Sequence, residues 1–309
     1  MAIKSTGLSL IGARSEFFNK FDQVRTFPWD RFVMRYTSTT DVERHRWLGA
    51  LPTMRVFGTG RLAKGLRSES YDVANELYEA TVEWSRTEEA DDQTGQIRQL
   101  ISGMATPAGR IHSKLLAELM TSGTFNGYNS YDNVTFFNDA HVSGASGNQD
   151  NDLTAAAAAA AKTTAECKTA LQASITQLAN FKDDQGEPIN EEADKIVVVV
   201  PPVLYYPMKE AAAAAIVGGS SNILIADNIE VLKFSRLTAG TDFFTFALDD
   251  PGQMPFILQE REPLEFKLLE ADADSTDAFL REKGMAGVRE RFKMTYGFWQ
   301  KAVRTVFAN

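Results

Sequence analysis

The sequence predicts a mixed α+β chain, and three patterns carry that prediction. Apolar residues recur at Ile97, Leu100, Ile101, Met104, Ala108, Ile111, Leu115 and Leu119, the i, i+3, i+4, i+7 spacing of an amphipathic helix of about six turns. "LYEATVEWSR" alternates, with Tyr78, Ala80, Val82 and Trp84 on one side and Glu79, Thr81, Glu83 and Ser85 on the other. That is the period of a strand with one covered face. "IVVVVPP" is a continuous apolar run, as expected of a strand buried on both faces.

Composition bounds the rest. A chain of 309 residues is long enough for two lobes with sizeable cores, and 44% apolar with 24% charged residues is ordinary globular composition. No apolar run reaches the roughly 18 residues of a membrane span. The opening "MAIKSTGLSLIGARSEFF" lacks an apolar h-region followed by a small-residue cleavage site, so no secretion signal is expected. Cys167 is the single cysteine, which excludes an internal disulfide and a thiolate metal cluster and fits a reducing, intracellular origin. "NVT" at Asn133 is a glycosylation sequon that carries no weight without such a signal. The net charge of −9 argues against a dedicated nucleic-acid binder, which would cluster Lys and Arg against phosphates. Here the densest basic groups, "ERHR" (Glu43 to Arg46) and "VRERFK" (Val288 to Lys293), are interrupted by acids or apolar residues.

In chain order, residues 1–52 carry apolar anchors ("EFFNKF", "FPWDRFVMRY", "HRWLGALP") without sustained periodicity. Such a segment cannot readily form its own core and reads as an arm laid against something else, a neighbouring chain included. Residues 53–86 read as a projecting hairpin: "TMRVF" (Thr53 to Phe57) and the alternating strand, joined by the basic tip "GTGRLAKGLRSES". An isolated hairpin is marginal in water, so its covered face is expected to come from another subunit. The tip lacks both the GxxxxGK[ST] spacing and a following helix, so it is not a phosphate loop. The long helix follows, with the acids of Glu88 to Asp92 at its N-terminal end, Pro107 bending or breaking it, His112 beside the apolar stripe and "TSGTFNG" closing it. "SGASGNQDND" and "DADSTD" are acidic loops without EF-hand spacing. "LTAAAAAAAKTTAECKTALQASITQLANF" predicts a helix with Thr154 as a possible N-cap, Cys167 being a small buried residue on it. After "IVVVVPP", the helix "MKEAAAAAIVGG" stops at glycines. The strands "IEVLKFS", "FFTFALD", "MPFILQE" and "LEFKLLE" lead to a tail, "AGVRERFKMTYGFWQKAVRTVF", read mainly as strand with Val288, Phe292, Met294 and Tyr296 inward.

Chemistry, if present, would centre on "YDNVTFFNDAH", where Asp132, Asp139 and His141 stand close together. His45, His112 and His141 are the only histidines, none follows a G-x-S-x-G elbow, and no H-x-x-x-H or H-E-x-x-H offers zinc ligands. Phe136 and Phe137 read as core anchors and the polar residues around them as turn and junction residues. No catalytic residue, metal or cofactor is expected.

Four stretches, in order, resemble the major head subunit of Mu-like tailed phages, a branch of the major capsid proteins with the Hong Kong 97-type fold. They are "TSTTDVERHRWLGALPTMRVFGTGR", "YDVANELYEATVEWSRTEEADDQTGQI", "YDNVTFFNDAH" and "DAFLREKGMAGVRERFKMTYGFWQKA". The resemblance implies an N-terminal arm (1–52), an extended loop (53–86), a peripheral domain with a spine helix (87–125), an axial domain (126–254) and returning strands (255–309). It implies a structural protein of the virion, assembled in the host cytoplasm from pentamers and hexamers into an icosahedral shell around double-stranded DNA, bound without sequence specificity. Expected partners are other copies of the chain, a separate scaffolding protein, a portal protein and, in some relatives, a decoration protein, with no membrane. Inter-subunit contacts are expected at Arg55, Phe57, Arg61, Lys64 and Arg67 of the loop and at Phe17, Phe18 and Trp29 of the arm. Some relatives cross-link a loop lysine to another subunit's asparagine. Nothing designates a partner for Lys64, so non-covalent assembly is expected. Two alternatives stay open: an encapsulin-like compartment shell of the same fold, and an enzyme using His141 with Asp132 or Asp139.

Overall fold

Two sheets of different make-up organise the chain, joined by its last strands. The computed structural model describes residues 10–24, 26–45, 71–92, 95–157, 162–191, 193, 195–217, 219–222, 224, 228–269, 280 and 282–308. The first part of the chain forms α1 (Leu10–Gln23), β1 (Val33–Thr37), β2 (Val42–His45), β3 (Tyr71–Ala74), β4 (Glu76–Ser85), α2 (Arg86–Asp91), α3 (Gln96–Gly103) and α4 (Ala105–Ser122). The middle forms β5 (His141–Val142), β6 (Asn148–Gln149), β7 (Asp152–Ala155), α5 (Thr164–Asn180), β8 (Ile196–Val200), α6 (Tyr205–Ala213), β9 (Ile216–Val217) and β10 (Ser220–Ser221). The rest forms β11 (Glu230–Lys233), β12 (Asp242–Ala247), β13 (Phe256–Leu269), β14 (Lys283–Tyr296) and β15 (Ala302–Phe307).

The first sheet has the order β1-β13-β14-β4. "MPFILQE" and "LEFKLLE" are one strand, β13, carried past its register shifts between Glu260 and Glu265 by bulges rather than by a turn. The alternation read in β4 is present, with Trp84 buried and Glu79, Thr81 and Glu83 exposed. Among the described residues its partner is one the sequence did not suggest: β4 pairs antiparallel with β14, Glu76 to Ser85 lying opposite Phe292 to Lys283. The covered face therefore comes from the chain itself. Trp84 and Val288 share a core with Ala13 and Phe17 of α1, Ile97 and Ile101 of α3, and Phe266 of β13. Gly284 makes room for that core, since a Cβ there would sit 2.5 Å from the Trp84 ring. The expected hairpin strand "TMRVF" lies outside the described residues; the antiparallel pair that flanks residues 46–70 is β2 with β3.

The long helix is two helices. The chain breaks at Met104, between α3 and α4, because Pro107 has no N–H to give the carbonyl four residues back. The acids before it act as read: Ser85 and Glu88 form a capping box at α2, and the Asp92 carboxylate accepts from the backbone N–H of Gln96 and Ile97 at 2.9 and 3.0 Å. At the far end, Gly123 admits the Phe137 ring, which a Cβ would meet at 2.6 Å.

The second sheet has the order β11-β8-β12-β15-β7. β8 is buried along its whole length, flanked by β11 and β12. Helices α5 and α6 cover one face through Cys167, Leu171, Met208 and Ala211. Burial pushes the Cys167 thiol up to about 11, so it is a packing residue and not a thiolate. Thr154 caps no helix: Asp152–Ala155 is strand β7, parallel to Arg304–Phe307 of β15. The capping box belongs instead to Thr163 and Glu166 at α5. Alanine propensity differs from that of other residues by tenths of a kcal/mol. The ladder with β15 and the Arg304–Asp152 ion pair at 2.8 Å outweigh it.

Val288, Phe292, Met294 and Tyr296 are buried as read, as are Phe136 and Phe137. Among the described residues, no helix is long and apolar enough to cross a membrane.

Candidate assembly surfaces

The one constellation that resembled chemistry is a joint. Between β14 and β15 the chain passes from the first sheet to the second through Trp299, which has no solvent exposure. The His141 ring stacks on Trp299 at 4.2 Å and 8°. His141 Nδ1 lies 2.6 Å from Asp132 Oδ2, and Nε2 lies 3.2 Å from the Phe136 carbonyl. Around them, Asn151 donates to the Phe136 carbonyl at 2.9 Å and accepts from the Asn138 N–H at 2.8 Å. Asn190 donates to the carbonyls of Leu178 and Gln300, both at 2.8 Å. Irregular backbone that crosses a core must have its polar groups satisfied, and these side chains do that. A catalytic base needs a free nitrogen facing a substrate. Both His141 nitrogens are engaged, the ring is fully buried, and Asp139 is exposed and takes no part in the pair.

The β2–β3 pair is pinned by a second buried network. Gln259 of β13 has no exposure. Its amide donates to the Val73 carbonyl at 3.1 Å and to Asn75 Oδ1 at 2.9 Å, while its oxygen lies 3.0 Å from His45 Nε2. β2 and β3 are thereby fastened to the first sheet. The turn before β2 is organised by Glu43, whose Oε1 accepts from Ser38 Oγ, Thr39 N and Thr40 N at 3.0, 2.8 and 3.1 Å. Those bonds pull its carboxyl down to about 2, the Thr39 bond contributing most.

Of the arm residues expected at contacts, Phe17 is fully buried within its own chain, with Phe18 and Phe266 each 5.2 Å away. Phe17 thus packs α1 onto the first sheet of its own chain. Phe18 is half-buried beneath Arg14 and keeps an outer face. Trp29 opens a stack that runs through His112 at 4.4 Å to Phe292 at 4.5 Å and Tyr78 at 4.7 Å, with Arg35 over its other face at 5.1 Å. His112 is thus a packed side chain that also meets Glu290 at 3.3 Å. Arg55, Phe57, Arg61, Lys64 and Arg67 lie outside the described residues.

Sequence reading missed the apolar side chains left in water. Val42 and Leu77, 45% and 57% exposed, sit at and just after the β2–β3 pair, and Val203, Tyr206 and Ile216, all 67% exposed or more, surround α6. The signal for the second group was "PPVLYYPMKE", where prolines bracket four apolar or aromatic residues at the head of a short helix.

The chain is similar to known proteins. The profile of the family described as Mu-like prophage major head subunit gpT matches residues 9–166 and 227–306. The chain is 26% identical over 113 residues to the major capsid protein of Escherichia phage Mu, covering 37% of this chain and 36% of that protein. Its fold is similar to that of a chain in the procapsid of bacteriophage JBD30, with a TM-score of 0.54 at 20% identity, over 97% of this chain and 76% of the other. A chain in the mature capsid of bacteriophage PhiM1 is similar with a TM-score of 0.60 at 8% identity, over 93% and 88% of the two chains.

Proposed function

The chain belongs to the Mu-like prophage major head subunit family, and from that premise we propose that it is the major capsid protein of a tailed phage. Many copies assemble, as pentamers and hexamers, into an icosahedral head shell around double-stranded DNA. The observation that carries this reading is that the family match takes in α1 to α4 and β1 to β7, then resumes across β11 to β15. It therefore includes every strand of the first sheet and all of the second sheet's strands except β8, not one local motif.

The physical logic of the subunit agrees. A projection pinned at its base by Gln259 and His45, with Val42 and Leu77 in water beside it, is stabilised by burying that surface on another copy. The α6 region presents Val203, Tyr206 and Ile216 for the same use. Contacts of modest strength suffice, because each added subunit engages several neighbours at once and the effective concentration multiplies them. Closed symmetry ends growth at a finite particle. In this reading the first sheet with α1, α3 and α4 is the peripheral domain, the second sheet with α5 and α6 is the axial domain, and residues 46–70 belong to the extended loop. Scaffolding, portal and decoration proteins are its partners in the head, and the virion is its destination. An encapsulin-like shell would use the same fold; the family match favours the phage head.

Negative-stain micrographs of the purified protein, expressed alone and with the scaffolding protein of its own gene cluster, test the reading. Closed particles of uniform size are expected in at least one preparation. Soluble, folded subunits without shells in both would overturn it.

A further inference from the structure

One groove departs from the acidic character of the chain. It has a volume of about 520 Å³ and lies where Phe27, helix α4 and the end of β11 meet. Arg110, Lys233 and Arg236 line it, and no Asp or Glu does, in a chain whose net charge is −9. Among the described residues, Arg110 and Arg236 have no ion-pair or hydrogen-bond partner for their guanidinium groups, and Lys233 rests over the Tyr205 ring at 5.5 Å. The carboxylate on the same strand, Glu230, is held by Arg31 at 2.9 and 2.5 Å. A second observation points the same way: Ser113, 3% exposed, also lines the groove, and its hydroxyl has no hydrogen-bond partner. A buried unpaired hydroxyl costs stability unless something completes it. Phe27 and Phe234, stacked at 4.0 Å, form the apolar wall.

We propose that this groove is a phosphate site that holds the backbone of nucleic acid without reading its sequence. A phosphate offers several acceptor oxygens, enough for two guanidinium forks and a hydroxyl together. Contacts to the backbone position a strand but carry no base information. The phosphate chemistry stands on the groove itself. Nucleic acid as its source rests on the shell reading above, in which the enclosed DNA is the polyanion at hand. The acidic remainder of the subunit then keeps DNA from adhering broadly, while this groove supplies a discrete, salt-sensitive contact.

The test uses the full chain as unassembled subunits, with fluorescein-labelled single- and double-stranded DNA of arbitrary sequence followed by anisotropy. One phosphate held in the groove predicts that log K falls with log salt at a slope of about −0.7 for single strands and about −0.9 for duplex. The triple variant Arg110→Ala, Lys233→Ala, Arg236→Ala is expected to bind at least tenfold more weakly at low salt and to lose most of that slope, with its melting midpoint unchanged. Inorganic phosphate should compete with wild type, and less well with Ser113→Ala. Equal binding by the triple variant, or no binding by wild type, overturns the site. Polyglutamate that displaces DNA as well as an equal charge of free DNA does overturns nucleic acid as the occupant and assigns the groove to an acidic peptide. Micrographs of the assembly preparations described above, set beside the binding data on unassembled subunits, keep the two readings apart. Shells with no DNA binding sink the groove alone, and DNA binding without shells sinks the shell reading alone.

Discussion

Making both of its hydrogen bonds at once commits the His141 ring. The Phe136 carbonyl only accepts, so Nε2 carries a proton, and a second proton is shared between Nδ1 and Asp132 Oδ2, 2.6 Å apart. The Asp132 side chain is 4% exposed, so deleting the imidazole strands a buried carboxylate and opens a void against Trp299. His141→Ala is therefore expected to cost about 3–5 kcal/mol, the usual result of breaking a buried pair from one side, read as a lower midpoint in urea unfolding. Asp132→Asn, which keeps the shape and removes the charge, should cost less and remain soluble. An enzyme built on His141 would instead keep its wild-type midpoint in both variants and lose turnover. Sequence made one half of this site legible. Two adjacent phenylalanines after a helix announced packing, and Phe136 and Phe137 are buried. The other half was not legible, because the partner that turns an Asp and a His into a strut, Trp299, stands at the far end of the chain.

At the scale of elements, local pattern reported what each segment wants and not what it finds. The alternation of β4 showed which face is covered but not its pairing with β14, since pairing across most of the chain leaves no local trace. Thr154 and Thr163 show the converse. Both precede alanine-rich sequence, but only Thr163 has an acid three residues on, and the reciprocal bonds with Glu166 form there. The turn before β2 carries a pH consequence. Bonds from Thr39, Ser38 and Thr40 hold the Glu43 carboxyl at about 2, below its ordinary 4.5. A depressed carboxyl contributes stability above its unfolded value and loses it as pH falls through the folded one. The turn, and with it the β2–β3 pair, should thus hold at pH 5 and loosen progressively between about 4.5 and about 2. NMR protection of the Thr39 and Thr40 amides checks it: protection should fall across that window in wild type and be low already at pH 5 in Glu43→Ala. Flat protection in wild type down to pH 2.5 would contradict the assignment.

At the scale of the molecule, the β2–β3 pair and the segment between its strands are separable. The pair belongs to the subunit: β2 and β3 are paired with each other and tied through Gln259 to β13, so they persist whatever lies beyond His45 and Tyr71. What lies beyond is a basic, apolar-dotted segment, "TMRVFGTGRLAKGLRSES", with nothing to gain from water. If that segment serves neighbours, its loss should be silent in the isolated chain and decisive in the assembly, because every copy loses the same contact and the loss is multiplied around each ring. Deletion of Gly58–Ser70 is the corresponding experiment. Twelve residues, Arg46 to Phe57, still link β2 to β3, which is ample for a loop whose closure cost grows only slowly with length. The expected product has a wild-type unfolding midpoint and circular dichroism, and sediments as single subunits or small oligomers where the full chain sediments as closed shells. Closed shells of normal size from the deletion would remove the segment from the assembly mechanism and leave Val42, Leu77 and the α6 surface to carry it. A collapsed midpoint would mean that the segment folds back on its own subunit.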